Sequence, residues 1–117
     1  MTNPVLNSQI DLTYLKDMSD GDESFIKMML ETFLTNVPEV LENIEAYYKE
    51  EKWIALAEEL HKLKPTLKYL GVNSLNEIMP DTEANCKTLQ NFDQIGQGIA
   101  QITEVTKNVL DEAKTLV

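Results

Sequence analysis

The stretch WIALAEELHKLKPTLKYLG, residues 53–71, decides how this chain folds. At about 100° per residue, Trp53, Leu56, Leu60, Leu63, Leu67 and Leu70 fall on one arc of a helical wheel. That spacing predicts a helix over 52–70 with its leucines buried. Gly71 is placed to end it, because a residue without Cβ turns left-handed at little cost. His61 lies outside the leucine arc. On its side of the wheel are Ala57, Lys64, Pro65 and Lys68, with Ile54 two turns earlier. Small Ala57 and compact Pro65, one turn to either side, should leave the imidazole standing clear.

The rest of the chain has the same period. Residues 22–50 place Phe25, Met29, Phe33, Val37, Val40, Leu41, Ile44 and Tyr48 at gaps of three and four. Asp20 with Glu23 reads as a capping box for this helix, and Pro38 should kink or divide it. A short helix is expected over 11–18, with Leu12 and Leu15 inward. Ser74 with Glu77 reads as a second capping box, opening a helix over 74–89 that Pro80 would bend. Asn91 with Gln94 would cap a last helix over 92–115, carrying Ile95, Ile99, Ile102, Val105, Val109, Ala113 and Leu116; Gly96 and Gly98 weaken its first turns. No segment alternates with period two. The expected fold is all-α: one domain over 1–117, an antiparallel up-down four-helix bundle with a short extra N-terminal helix.

Composition narrows the function. The formal net charge is −10, which sets phosphate backbones and anionic membranes against the chain as partners. No apolar run approaches the roughly 20 residues that span a bilayer. The opening MTNPVLNSQI has neither a basic start nor an apolar core, so the expected location is cytoplasmic. One cysteine and one histidine make too small a set for a zinc site, and no metal ligand is assigned. Cys86 reads as a small buried hydrophobe. Glu50–Glu51 and Glu58–Glu59 diverge on their helices and read as solvated surface.

The single histidine sits in the one basic stretch of this acidic chain. Between His61 and Asn76 there are three lysines, Lys62, Lys64 and Lys68, and no acid. A neutral imidazole has a free lone pair and is a competent nucleophile toward phosphorus. The phosphohistidine that results is anionic, and nearby ammonium groups stabilise it. The lysines therefore suit an anion that arrives at His61.

At these residues the sequence resembles the histidine-containing phosphotransfer (HPt) domain family. The family motif runs approximately His-x-Leu-Lys-Gly, with a second glycine ten residues after the histidine. Here it reads His61, Lys62, Leu63, Lys64, Pro65, with Gly71 at the second glycine. The upstream LKDMSDGDESFIKMMLETFLTNVPEVLENIE, residues 15–45, is similar to the family's lead-in. The likeness covers roughly residues 11–90. It implies a phosphorelay carrier that takes a phosphoryl group from a receiver-domain aspartyl phosphate and passes it to another receiver. It implies no ATP site or kinase activity, no cofactor on this chain, and Mg²⁺ on the partner receiver. The implied partners are response-regulator receivers and a hybrid sensor kinase, and the implied state is a monomer. By the same carry-over His61 is the phosphoacceptor, Lys64 stabilises the phosphoryl group, and Glu83 lies near the histidine. Ile54, Ala57 and Pro65 would then form the apolar part of the receiver contact, flanked by Lys64 and Lys68. One departure stands out: Pro65 replaces the motif glycine and removes the N–H that would bond the His61 carbonyl, so a kink or a solvated carbonyl is expected there.

Two other readings stay open. A sensor-kinase dimerisation and phosphotransfer hairpin also shows an exposed histidine near a basic residue and a proline. It would be dimeric, and its usual acid after the histidine is here Lys62. A helical adaptor without chemistry would use the lysines only to dock an acidic partner.

Overall fold

The computed structural model describes residues 9–117 and contains five helices, with no strand among the described residues. They are α1 (Thr13–Ser19), α2 (Glu23–Lys49), α3 (Trp53–Tyr69), α4 (Ile78–Thr88) and α5 (Phe92–Leu116). The first eight residues, including most of the opening stretch read above for location, lie outside the description.

α3 packs against α2 and α4, α5 packs against the same two, and α1 rests on α2. The four longer helices thus close a ring around one core. Leu56, Leu60, Leu63, Leu67 and Leu70 are each at most 3 % exposed, as the wheel requires. Burying a leucine fully stabilises by about 1.5–3 kcal/mol, so this stripe fixes the rotation of α3. Trp53, at the start of the arc, is half-buried. α5 buries Ile95, Ile99, Ile102, Val109 and Ala113 at the expected spacing. Leu116 is exposed, Val105 is only partly covered, and Thr106 takes a buried place.

α3 ends as its glycine predicts. Gly71 adopts φ +70°, its N–H donates to the Lys68 carbonyl, and the Val72 N–H donates to the Leu67 carbonyl. These two bonds make a Schellman cap. The Asp11 N–H donates to the Leu70 carbonyl at 2.8 Å, and a Cβ on Gly71 would run into the Asp11 backbone. Gly71 therefore clamps the segment before α1 onto the end of α3. It lies about 15 Å along the axis from His61.

Several boundaries differ from expectation. α2 is capped by Asp22, whose Oδ1 accepts from the N–H groups of Ser24 and Phe25 at 3.0 and 3.2 Å. Asp20 is unavailable because it ends α1 in the left-handed conformation. On α2 the buried residues are Ile26, Leu30, Phe33, Val37, Leu41 and Ile44. Phe25, Met29 and Val40 are partly covered, and Tyr48 is exposed. α4 begins only at Ile78, and Ser74 instead donates to the Gln9 side chain at 2.7 Å. This start puts Pro80 in the first turn, where a missing N–H costs nothing, so it opens the helix rather than bending it. Pro38 and Pro65 do not divide α2 or α3. Both are exposed, so the carbonyl each leaves unbonded lies toward water. Asn91 is left-handed and makes no side-chain cap for α5; its amide donates to Asn85.

The two glycines of α5 mark close approaches. A Cβ on Gly98 would overlap the Thr82 hydroxyl on α4, and one on Gly96 would meet the Tyr48 hydroxyl at the end of α2. Their missing side chains let α5 lie close to both neighbours.

Candidate functional site

His61 stands on α3 with 68 % of its side chain exposed. Its neighbour comes from α4. The buried stripe of α4 is Met79, Thr82, Glu83 and Cys86, which is one helical face. Glu83 therefore points into the α3–α4 seam and is only 8 % exposed. Its Oε1 lies 3.3 Å from His61 Nδ1 and 3.6 Å from Lys64 Nζ, and its Oε2 accepts from Lys87 Nζ at 3.0 Å.

A buried carboxylate is costly unless paired, and this one has two ammonium groups and an imidazole. Burial pushes the Glu83 carboxyl up, but the Lys87 hydrogen bond, the charges of Lys64 and Lys87 and the bond from His61 together outweigh it. They hold the group below its ordinary value. Glu83 is thus an ionised acceptor at neutral pH, so Nδ1 must carry the proton it shares. In the neutral ring the lone pair is then on Nε2. The seam turns Nδ1 inward against a carboxylate on a ring that is otherwise exposed.

The structure brings together three of the residues named from the sequence, His61, Lys64 and Glu83, and adds Lys87. Nothing local marks Lys87 as a site residue except its spacing of four from Glu83, an ordinary helical ion pair. Lys62 turns away: its ammonium pairs with Glu59 at 3.2 Å. Glu59 itself is 5 % exposed, contrary to the solvated surface expected for it. It faces Asn43 of α2, and its Oε2 has no partner.

The expected receiver contact needs one correction. Ala57 is 1 % exposed and belongs to the core, because α3 is flanked on two sides and its buried arc is wider than its leucines. It cannot be part of a docking surface. Ile54 is 54 % exposed, and Pro65 and Lys68 are exposed as well. A cleft of about 330 Å³ opens beside Lys68, lined by Lys64, Leu67, Lys68, Leu75, Met79 and Pro80 among others.

Cys86 is fully buried one turn beyond Glu83, and burial followed by the Glu83 charge pushes its thiol up to about 11. It is a neutral packing residue and no nucleophile. Among the described residues no cluster of His, Cys, Asp and Glu is arranged to hold a metal ion, and no helix is long and apolar enough to cross a membrane.

Residues 28–114 match the family described as Hpt domain. The chain is also 29 % identical over 75 residues to the phosphorelay intermediate protein YPD1 of Candida albicans, an alignment covering 64 % of this chain and 37 % of that protein. The match thus spans little more than a third of the relative's length. No solved structure matches.

Proposed function

Because this chain belongs to the Hpt domain family, we propose that it is the histidine carrier of a phosphorelay and that Nε2 of His61 is the atom that carries the phosphoryl group. The observation that supports this best is the contact of His61 Nδ1 with the ionised Glu83 carboxylate, on a ring that is otherwise exposed. In the forward step the Nε2 lone pair attacks phosphorus in a receiver's aspartyl phosphate. The N–P bond forms, the P–O bond to aspartate breaks, and the aspartate leaves as carboxylate. The reverse sequence hands the group to a second receiver. Lys64 is one turn from His61, and its ammonium moves from the carboxylate to a phosphoryl oxygen as charge arrives. The chain brings position and charge; Mg²⁺ comes with the receiver, and no cofactor or ATP site of its own is needed.

The receiver docks on the exposed strip of α3. Ile54 and Pro65 provide apolar contact, Lys64 and Lys68 face the receiver's acidic pocket, and the cleft beside Lys68 extends the contact past Pro65. An apolar patch edged by charge suits a partner that must both arrive fast and leave. A hybrid sensor kinase is the expected origin of the phosphoryl group. The ring of helices is read as an antiparallel up-down bundle acting as a cytoplasmic monomer.

The test is transfer of labelled phosphate from a phosphorylated receiver domain. The wild-type protein should take up acid-labile, alkali-stable label, and a His61→Gln protein none. Label on the Gln variant at the wild-type rate overturns the assignment. A dimer in sedimentation would favour the sensor-kinase hairpin instead.

A further inference from the structure

The arrangement around His61 differs for the two halves of the relay, because the ring that donates a phosphoryl group is not the ring that received it. Once Nε2 is bonded to phosphorus, the Nδ1 proton decides the leaving group. With that proton in place the ring is a phosphono-imidazolium and departs as neutral imidazole. Without it the ring would have to depart as imidazolate, a far poorer leaving group.

We infer that Glu83 is a positioning residue for the onward step: its carboxylate keeps the Nδ1 proton on the phosphorylated ring, so that His61 leaves as neutral imidazole. This rests on the reading that His61 Nε2 carries the phosphoryl group. In the onward step the N–P bond breaks and its electron pair returns to Nε2. Phosphorus goes to the aspartate oxygen of the receiver, and the Nδ1 proton stays where it is. No proton has to be fetched from water.

The surroundings leave this task to Glu83. From α4, Glu83 Oε1 is 3.3 Å from Nδ1, and Lys87 is 3.0 Å from the other oxygen. The Cys86 thiol, pushed up to about 11, carries no charge near neutrality. From α3, Lys64 is 3.6 Å from the same carboxylate. Lys62 and Glu59 are occupied with each other. Glu58, one turn before His61, is exposed and makes no ion pair among the described residues. Among the described residues, Glu83 is the anion that meets Nδ1. The two lysines hold it ionised, and on the free protein they keep its charge from being excessive for the seam.

The test uses the fact that the chain has one histidine, hence one pair of ring nitrogens to observe. Wild-type and Glu83→Gln proteins are phosphorylated chemically with phosphoramidate. Nitrogen spectra of the ring, and loss of the phosphorus signal, are then followed from about pH 5.5 to 9. The Gln carbonyl can still accept from Nδ1–H, so orientation is kept while charge is removed. The Gln variant should lose the Nδ1 proton about one pH unit earlier, and at pH 8 its phosphoryl group should be lost about tenfold more slowly. Near pH 6 the two rates should agree within about twofold. Lys87→Met, which frees the carboxylate's charge toward the ring, should move the profile the other way, and it keeps the inference testable should the Gln variant fold poorly. Superimposed profiles, or a ratio constant across pH, overturn the inference alone. A wild-type phosphoprotein that no receiver domain discharges overturns the phosphotransfer reading and the inference with it.

Discussion

Replacing Gly98 by alanine tests how closely α4 and α5 approach, and through that how the site is held. A Cβ built on Gly98 overlaps the Thr82 hydroxyl and comes within 3.2 Å of its Cβ and 3.3 Å of its Cγ2. Thr82 is 3 % exposed, so its side chain has no solvent to move into. Overpacking of this kind costs about 1–3 kcal/mol. Alanine regains about 1 kcal/mol of helix propensity, so the net destabilisation should be at most ~2 kcal/mol. Thr82→Ala removes both the hydroxyl and the methyl that are struck. The 3.2 Å approach to the Cβ at position 82 remains in that background, so Gly98→Ala should there be near neutral, within about 0.5 kcal/mol, and the double-mutant cycle should close with a coupling of up to ~2 kcal/mol. Urea unfolding of the four proteins measures this, and a melt should show about 4 °C for each kcal/mol. Glu83 follows Thr82 on α4, so the single mutant should also accept phosphate more slowly. If Gly98→Ala stabilises the protein that still has Thr82, the helices are not in contact there and the reasoning is wrong.

Lys64→Ala should slow phosphoryl uptake by about tenfold, since a charge-assisted contact is worth ~1.5–3 kcal/mol. Its 3.6 Å approach to Glu83 is long, so stability should fall by no more than about 0.5 kcal/mol; a large shift in urea midpoint with unchanged transfer would contradict this. Ala57→Arg should abolish cooperative melting or lower stability by more than about 3 kcal/mol, because it places a long cation in the core, and a native-like melt would contradict the burial of Ala57. Alkaline pH should destabilise the fold through Cys86. Its thiol is raised from 9.0 to about 11, so the stabilisation is fully present below pH 9 and is lost as pH rises toward 11. The loss is on the order of 2–3 kcal/mol, and Cys86→Ala, though less stable at neutrality, should show a flatter profile in urea titrations over that window.

Periodicity made the leucine face of α3 and the outward position of His61 legible before any coordinates. Both follow from a single helix and its leucines. Ala57 was misplaced for the complementary reason: a wheel drawn on one helix does not show that α3 has neighbours on two sides. The capping box at Ser74 and Glu77 satisfied a local pattern but lost to Pro80, which is tolerated in a first turn and not four residues further in. Gly96 and Gly98 looked like weak points of α5 because helix propensity counts only what glycine lacks. In the ring their bareness is what lets Tyr48 and Thr82 come near. Lys87 left no local trace as a site residue, since its route to His61 runs through Glu83 and across a seam between helices.

The hydrogen bond from the Gln9 N–H to the Glu112 carboxylate joins residues 103 apart in the chain. His61 and Glu83, by contrast, are separated by 22. A nascent chain can therefore bring His61 and Glu83 together as soon as α4 has been made. Until α5 follows, the faces of α2 and α4 that will rest on Ile95, Ile99, Ile102 and Val109 have nothing to cover them. The chain is most open to misassociation in that interval, and chaperone capture of truncated translation products should peak for lengths that end between α4 and the middle of α5.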